Sequence, residues 1–177
     1  MPNLSRFEMT CTLILMRHSH AADGQGCRDF DRQLTVAGVR LAADTGRLLS
    51  KLCIVPDLIV TSAAVRTVQT GRYLAEQFDT EIRLVPRQDL YQAGPAGYLS
   101  AISAEAAPMI STILCIGHNP GIGLMISNLA GQRLAVSPAA VGIFEVDVED
   151  WIQLPPLNSA NSQLTHLIID AQLSSKN

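Results

Sequence analysis

Short apolar runs alternate with amphipathic stretches along this chain of 177 residues, and this alternation restricts the folds it can adopt. The clearest run, TILCI at 112–116, is typical of a strand that is buried on both faces of a parallel sheet. Similar short runs occupy 12–16 and 58–61, and stretches with helical spacing lie between them. The pattern therefore predicts an α/β domain with a mostly parallel central sheet.

Capping residues predict where the helices begin. Thr35 is placed to cap a helix that continues to about residue 52, and Ser62 is placed to cap a second helix that ends near residue 78. Asn119 as cap and Pro120 in the first turn predict another helix after the central strand. The remaining predicted elements are a strand over 81–85, a short helix over 97–104, and two late strands over 141–148 and 164–170 that are antiparallel or at an edge.

Composition excludes several classes of protein. Hydrophobic residues make up 47% of the chain and charged residues 16%, which excludes intrinsic disorder, and a net charge of −3 gives no general basic field for nucleic acid or an anionic membrane. The four cysteines form no C-x-x-C pair, which favours reduced structural cysteines, and no apolar run approaches the roughly 20 residues of a membrane span. We expect one cytoplasmic domain over 1–177, with residues 1–9 as a loose leader and no nucleic-acid or membrane partner.

Polar side chains follow three of the predicted strands at the point where each strand ends. Arg17 and His18 follow the first strand, Arg66 lies one turn into the helix after the second, and His118 follows the central strand. Ligands of open α/β sheets bind outside the carboxyl ends of the strands, so we expect these groups to converge in one crevice with two helix N-termini. Taken singly, each residue would equally suit a surface loop, a solvated helix face or a protein core. Together they favour a site for a phosphoryl group.

Four segments carry a resemblance to a known family. They are LILMRHSHA at 13–21, RQLTVAG at 32–38, TSAAVRTVQT at 61–70 and IGHNPG at 116–121. In this order they resemble the histidine phosphatase superfamily, and most of all its SixA-type phosphohistidine phosphatases. The resemblance implies a three-layer α/β/α fold like that of phosphoglycerate mutase, no metal or cofactor, and a phosphoryl group carried on histidine.

The resemblance also implies roles for individual residues. His18 matches the nucleophile, Arg17 and Arg66 match the groups that bind the phosphoryl oxygens, and His118 matches a further hydrogen-bond donor. The positive charges of the two arginines disfavour protonation of His18 and so help to keep its ring neutral.

Three further residues are candidates for binding the substrate. Ser19 stands where many superfamily members have glycine: either its hydroxyl contacts the phosphoryl group, or the backbone there simply does not require glycine. Arg32 could reach the phosphoryl group from the rim or be an exposed loop arginine. Asn119 could present its backbone N–H to the ligand, cap its helix, or do both.

The chain also lacks a recognisable proton donor. Relatives that cleave phosphate esters usually supply a carboxylic acid, but the only carboxylates between 88 and 106 are Asp89 and Glu105, and their surroundings do not match the mutase motif. An alkoxide is a poor leaving group without such an acid, whereas the imidazole of a phosphoramidate can leave unaided. The sequence leaves open whether Asp89 or Glu105 can serve, and the pattern favours phosphohistidine as substrate.

Three functional hypotheses follow. The first is a phosphohistidine phosphatase that acts through a phospho-His18 intermediate on a phosphorylated protein, such as a histidine phosphotransfer module in signal transduction. The second is a phosphatase for small phosphate esters. The third is a phosphate-binding domain without turnover. The absence of the Gly-rich phosphate-binding signatures argues against this third hypothesis.

Overall fold

The computed structural model describes residues 11–148, 150–152 and 154–174. The predicted leader, residues 1–9, lies outside the described residues. The strands are β1 (Cys11–Arg17), β2 (Leu58–Ser62), β3 (Arg83–Arg87), β4 (Thr112–Gly117), β5 (Val141–Val146), β6 (Ser162–Ile169) and β7 (Gln172–Leu173). The helices are α1 (Val36–Lys51), α2 (Val65–Ala75), α3 (Pro95–Glu105) and α4 (Gly121–Ala130), with short 3-10 turns at Asp29–Asp31 and Gln88–Leu90.

The seven strands of the described residues form one mixed sheet in the order β3-β2-β4-β1-β5-β6-β7. The first four strands of the chain are parallel to one another, and β5 runs antiparallel to β1. Strand β6 pairs antiparallel with β5, as predicted for the two late strands, and the short β7 was not predicted. The predicted α/β fold is confirmed, with an antiparallel extension on one side of a parallel core.

Helices cover both faces of this sheet. Strand β1 shows the reason, because successive side chains point to opposite faces and all four from Leu13 to Met16 are fully buried. Leu13 and Leu15 belong to the core beneath α3 and α4, whereas Ile14 and Met16 belong to the core beneath α1 and α2. The molecule therefore has the three layers that the resemblance implied.

One of the three predicted helix caps is confirmed. The Thr35 side chain accepts a hydrogen bond from the Gly38 backbone N–H at 2.9 Å. The predictions for Ser62 and Asn119 were wrong: Ser62 ends β2, with α2 beginning at Val65, and Asn119 lies one residue before the Pro120 cap position. Ser62 is hydrogen-bonded to His118, and Asn119 donates to the Val136 carbonyl, so both side chains are engaged with distant partners.

Close packing at Gly38 joins the start of α1 to the loop that follows β1. A Cβ at this position would lie 2.1 Å from the His20 carbonyl oxygen. The Ser19 hydroxyl donates to the Gly38 carbonyl at 2.8 Å, and the Ser19 backbone N–H donates to Thr70 in α2 at 3.1 Å. These contacts fix the backbone that directly follows His18.

The described cysteines are all free thiols, with Cys11 and Cys115 buried and Cys27 and Cys53 exposed. Among the described residues, none of the helices combines the length and the apolar character needed to cross a membrane.

Candidate active site

Adjacent strands β2, β4 and β1 end at the same edge of the sheet, and three of the predicted site residues meet there. Arg66 Nε lies 3.3 Å from His18 Nε2, and Arg66 Nη2 lies 3.3 Å from His118 Nδ1. The two imidazole rings are 5.2 Å apart between centroids, in an edge-on arrangement. The structure thus brings together residues that are 100 positions apart in the chain.

The protonation of His18 is set by its neighbours. Its Nδ1 lies 2.7 Å from the Ser19 carbonyl oxygen, which can only accept, so Nδ1 carries the proton. Nε2 is unprotonated, and its lone pair accepts from Arg66 Nε. The pKa of His18 is lowered to about 4, by burial first and then by the positive charges of Arg66 and Arg17. The ring is therefore neutral at pH 7, and burial adds to the arginine effect expected from the sequence.

His118 is also neutral, with its pKa lowered to about 3 by burial first and then by His18 and Arg66. Its Nδ1 accepts from Arg66, since a guanidinium only donates, and its Nε2 lies 2.9 Å from the Ser62 hydroxyl. Donation from Nδ1 to a phosphoryl group requires the other tautomer. The Ser62 hydroxyl permits this change because it can either accept from Nε2 or donate to it.

Arg17 and Asn119 share one acceptor at the side of the site. Arg17 Nη1 and Asn119 Nδ2 donate to the Val136 carbonyl oxygen at 2.9 and 3.0 Å. Within the part of the chain that the structure describes, the buried Arg17 Nε has no hydrogen-bond partner. A buried donor left unpaired costs about 1–3 kcal/mol, so an oxygen supplied by an anionic ligand would be stabilised there.

The other two predicted binding residues are engaged within the fold. Ser19 is fully buried with both donors in use, so a contact with a phosphoryl group would require breaking its bond to Gly38. Arg32 donates from Nε to the Ala22 carbonyl at 2.8 Å and from Nη1 to the Asp29 carboxylate at 2.9 Å. It lies partly exposed at the rim of the site and is bound to a carboxylate there, and its contact with a phosphoryl group stays a prediction.

Asp29 is the site residue that the sequence analysis missed. Its carboxylate accepts from Arg66 Nη2 at 2.9 Å, Arg32 Nη1 at 2.9 Å and the Tyr91 hydroxyl at 2.7 Å. Hydrogen bonds from Tyr91 and Arg32 hold the pKa of Asp29 well below its usual range, so the group is an anion at neutral pH. The only signal in the sequence is the i, i+3 spacing of Asp29 and Arg32, which surface ion pairs share.

Asp89 and Glu105, the two carboxylates considered as proton donors, are both bound to Arg87. Asp89 accepts from Arg87 Nε at 2.9 Å and Nη2 at 2.6 Å, and Glu105 accepts from Arg87 Nη1 at 2.7 Å. Arg87 lowers the pKa of Asp89. Their ion pairs with Arg87 leave these carboxylates poorly suited to protonate a leaving group.

The site therefore offers a neutral imidazole nitrogen as nucleophile and guanidinium groups as donors to an oxyanion. Among the described residues, no group of three or more His, Cys, Asp or Glu side chains could hold a metal ion. This arrangement suits transfer of a phosphoryl group to His18, in which positioning and charge stabilisation provide most of the catalysis.

Comparisons with known proteins agree with this chemistry. Residues 13–92 match the model of the histidine phosphatase superfamily (branch 1). An uncharacterized chloroplastic protein of Arabidopsis thaliana is 31% identical over 150 residues, which cover 78% of this chain and 68% of that protein.

Two solved structures, both assigned as phosphohistidine phosphatase SixA, are each 25% identical to this chain. The protein from Nakamurella multipartitia has a TM-score of 0.76, with 89% of this chain and 95% of that chain covered. The protein from Agrobacterium tumefaciens has a TM-score of 0.74, with coverage of 90% and 97%.

Proposed function

Because the chain belongs to branch 1 of the histidine phosphatase superfamily and is a phosphatase of the SixA type, we propose that it removes the phosphoryl group from a phosphorylated histidine of a protein. The observation that carries the proposal is the neutral Nε2 of His18, which faces Arg66 beside His118. The candidate carboxylates Asp29, Asp89 and Glu105 are all held by arginines.

In the first step, the lone pair of His18 Nε2 forms a bond to phosphorus. The P–N bond of the substrate breaks, and its electron pair stays on the departing imidazole nitrogen. Arg66 and Arg17 bind the equatorial oxygens, and His118 donates from Nδ1 after its change of tautomer. Donors aimed at these oxygens act where charge develops in the transition state.

In the second step, water attacks phosphorus and the bond to His18 Nε2 breaks. The electron pair returns to Nε2, and a water proton leaves with the phosphate or passes to solvent. His18 is then neutral again, and its protonated Nδ1 still donates to the Ser19 carbonyl.

The carboxylates at and near the site favour nitrogen over oxygen as the leaving atom. A phosphate ester needs a protonated acid for its alkoxide, but Asp29 and Asp89 are ionised and Glu105 is paired with Arg87. A substrate imidazole that carries a proton on its distal nitrogen leaves as a neutral ring and needs no such acid.

The rim of the site suits a histidine on a protein surface. The Asp29 side chain is 49% exposed and that of Arg32 is 27% exposed, whereas Arg66 beneath them is 6% exposed. An imidazole presented by a folded partner, such as a histidine phosphotransfer domain, could reach His18 through this opening.

Phosphate trapping tests the covalent intermediate. Wild-type protein mixed with radiolabelled phosphohistidine substrate and quenched in alkaline detergent is expected to carry a base-stable, acid-labile label, and His18→Ala is expected to carry none. His20→Ala is the matched control, because this neighbouring side chain is exposed and is assigned no role in the reaction. A label retained by His18→Ala would contradict the proposal.

Steady-state rates test the substrate class. We expect kcat/KM on a phosphohistidine protein to exceed that on small phosphate esters by at least about 100-fold, because the ester reaction lacks its acid and loses the 10²–10⁴ that such a group contributes. A preference for the esters would contradict the assignment to phosphohistidine while leaving the phosphatase intact.

A further inference from the structure

Arg66 uses two different edges of its planar guanidinium. The edge formed by Nε and Nη2 faces the histidines, with Nε 3.3 Å from His18 Nε2 and Nη2 3.3 Å from His118 Nδ1. The end formed by Nη1 and Nη2 faces Asp29, with Nη1 2.5 Å from its main-chain oxygen and Nη2 2.9 Å from its carboxylate. Asp29 therefore occupies the end of the fork that points away from the nucleophile.

From this geometry we infer that Asp29 is a positioning residue for phosphoryl transfer, which acts by holding Arg66 with its Nε–Nη2 edge turned toward His18. The inference rests on the proposed function, since it concerns the same reaction at the same site. It gives a role to a side chain that does not itself need to touch the substrate.

Rotation of the guanidinium explains why such a residue is needed. Arginine has a long side chain that can present either its side edge or its end to an anion. Two hydrogen bonds from one residue fix both the plane and the rotation of the group. Removal of the carboxylate leaves only the main-chain bond, which does not by itself fix the rotation of the group. Since a misplacement of about 1 Å at a reacting centre can cost about 100-fold in rate, this loss affects turnover more than binding.

Asp29 is itself held in place by two other residues. The Tyr91 hydroxyl donates to the carboxylate oxygen that Arg66 also uses, at 2.7 Å, and Arg32 donates to the other oxygen at 2.9 Å. Tyr91 packs edge-on against Phe30 and against His118, with centroids 5.1 and 5.6 Å apart. Because these bonds hold the pKa of Asp29 far below neutrality, the carboxylate accepts from Arg66 throughout the neutral range and does not serve as a proton donor.

The first test is the kinetic effect of Asp29→Ala. We expect kcat to fall about 10- to 100-fold while KM changes less than about threefold, because the lost orientation of Arg66 is offset in binding by removal of a negative charge near the phosphoryl group. Asp31→Ala is the matched control, since Asp31 lies in the same turn and pairs with the exposed Arg28. A wild-type kcat for Asp29→Ala would overturn the inference.

The second test is a double-mutant cycle with Arg66→Ala. If Asp29 acts through Arg66, the double variant Asp29→Ala/Arg66→Ala has the kcat of Arg66→Ala within about twofold. If Asp29→Ala still lowers kcat 10- to 100-fold in the Arg66→Ala background, Asp29 acts on the reaction directly and the inference is wrong.

Tyr91→Phe keeps the test decisive should Asp29→Ala fold poorly. It removes one hydrogen bond to Asp29 without changing charge, so we expect a several-fold loss of kcat that also disappears in the Arg66→Ala background. A kcat unchanged from wild type, or a loss that persists in that background, would contradict the inference. An inactive wild type, or an active His18→Ala, would instead refute the proposed function.

Discussion

One hydrogen bond decides which nitrogen of His18 can attack phosphorus. The Ser19 carbonyl accepts the Nδ1 proton at 2.7 Å, which leaves the lone pair on Nε2, the atom that faces Arg66. Burial then keeps the ring neutral, because a third positive charge beside Arg66 and Arg17 would be poorly solvated. The nucleophile is thus prepared before any substrate arrives.

Titration of His18 directly tests this protonation state. Nitrogen NMR of the free enzyme is expected to show Nδ1 protonated and Nε2 unprotonated at pH 7, with a midpoint near pH 4. Since protonation removes the nucleophile, activity should not be lost through His18 between pH 8 and 6, and should fall as the pH approaches 4. A midpoint near the unperturbed value of about 6.5 would contradict the environment described for His18.

At the level of secondary structure, the start of α1 supports the loop that carries His18. The Thr35 cap fixes the first turn, and Gly38 brings the helix backbone against the His20 carbonyl. In the RQLTVAG segment, Thr35 is therefore needed to cap the helix and Gly38 to allow close packing against His20. The helix and the loop are positioned as one unit.

Gly38→Ala is expected to destabilise this unit. Its Cβ would meet the His20 oxygen at 2.1 Å, so the helix or the loop must shift, at a cost of about 1–3 kcal/mol in the free energy of unfolding and with a loss of kcat. Gly94→Ala is the control: no atom beyond its chain neighbours lies within 4 Å of its Cβ, its φ of −85° suits alanine, and the change from glycine at the cap of α3 costs about 1 kcal/mol or less. Denaturant unfolding measures the free energy of unfolding of both variants, which we expect to be lower for Gly38→Ala. Equal values would contradict the prediction, because they would mean that the contact with His20 relaxes without cost.

For the molecule as a whole, placing two neutral histidines in one crevice couples stability to pH. Both pKa values are lowered mainly by burial, to about 4 for His18 and about 3 for His118. In the unfolded chain these groups bind protons near pH 6.5, so the unfolded state takes up more protons as the pH falls. The stability that these two groups contribute is therefore complete above pH 6.5 and decreases below it, down to about pH 4 for His18 and about pH 3 for His118.

Urea unfolding at several pH values measures this effect. Between pH 7 and 5 each of the two histidines is expected to lower the free energy of unfolding by about 2 kcal/mol. His118→Gln removes one of these titrations and should make the decline about half as steep. A free energy of unfolding that does not change over this interval would contradict the burial of both rings in neutral form.

Local sequence patterns predicted most of the fold for identifiable reasons. The strand at 112–116 and its parallel neighbours were found because a strand buried on both faces must be continuously apolar. His18, Arg66 and His118 were expected to converge because parallel strands bring their carboxyl ends to one edge of the sheet. The Thr35 cap was found because its partner, Gly38, lies three residues away.

The two helix caps that were predicted wrongly involve contacts between residues far apart in the chain. Ser62 and Asn119 matched the local pattern of a helix cap, but their side chains bind His118 and Val136, which are 56 and 17 positions away. A rule that considers only adjacent residues assigns such side chains to the nearest helix. The capping predictions failed because the helices begin later than the local pattern suggests, α2 three residues after Ser62 and α4 two residues after Asn119.

The motif residues and the order of strands and helices follow from the chain's local chemistry, since periodicity and spacing act over a few residues. The hydrogen bonds between Asp29 and Arg66 join residues that are 37 positions apart. Asp29 lies in a 3-10 turn that no sequence pattern predicted. The neutral state of the two histidines likewise depends on how much water the assembled layers exclude. Both features arise from folding, because burial and the meeting of remote side chains are properties of the packed molecule.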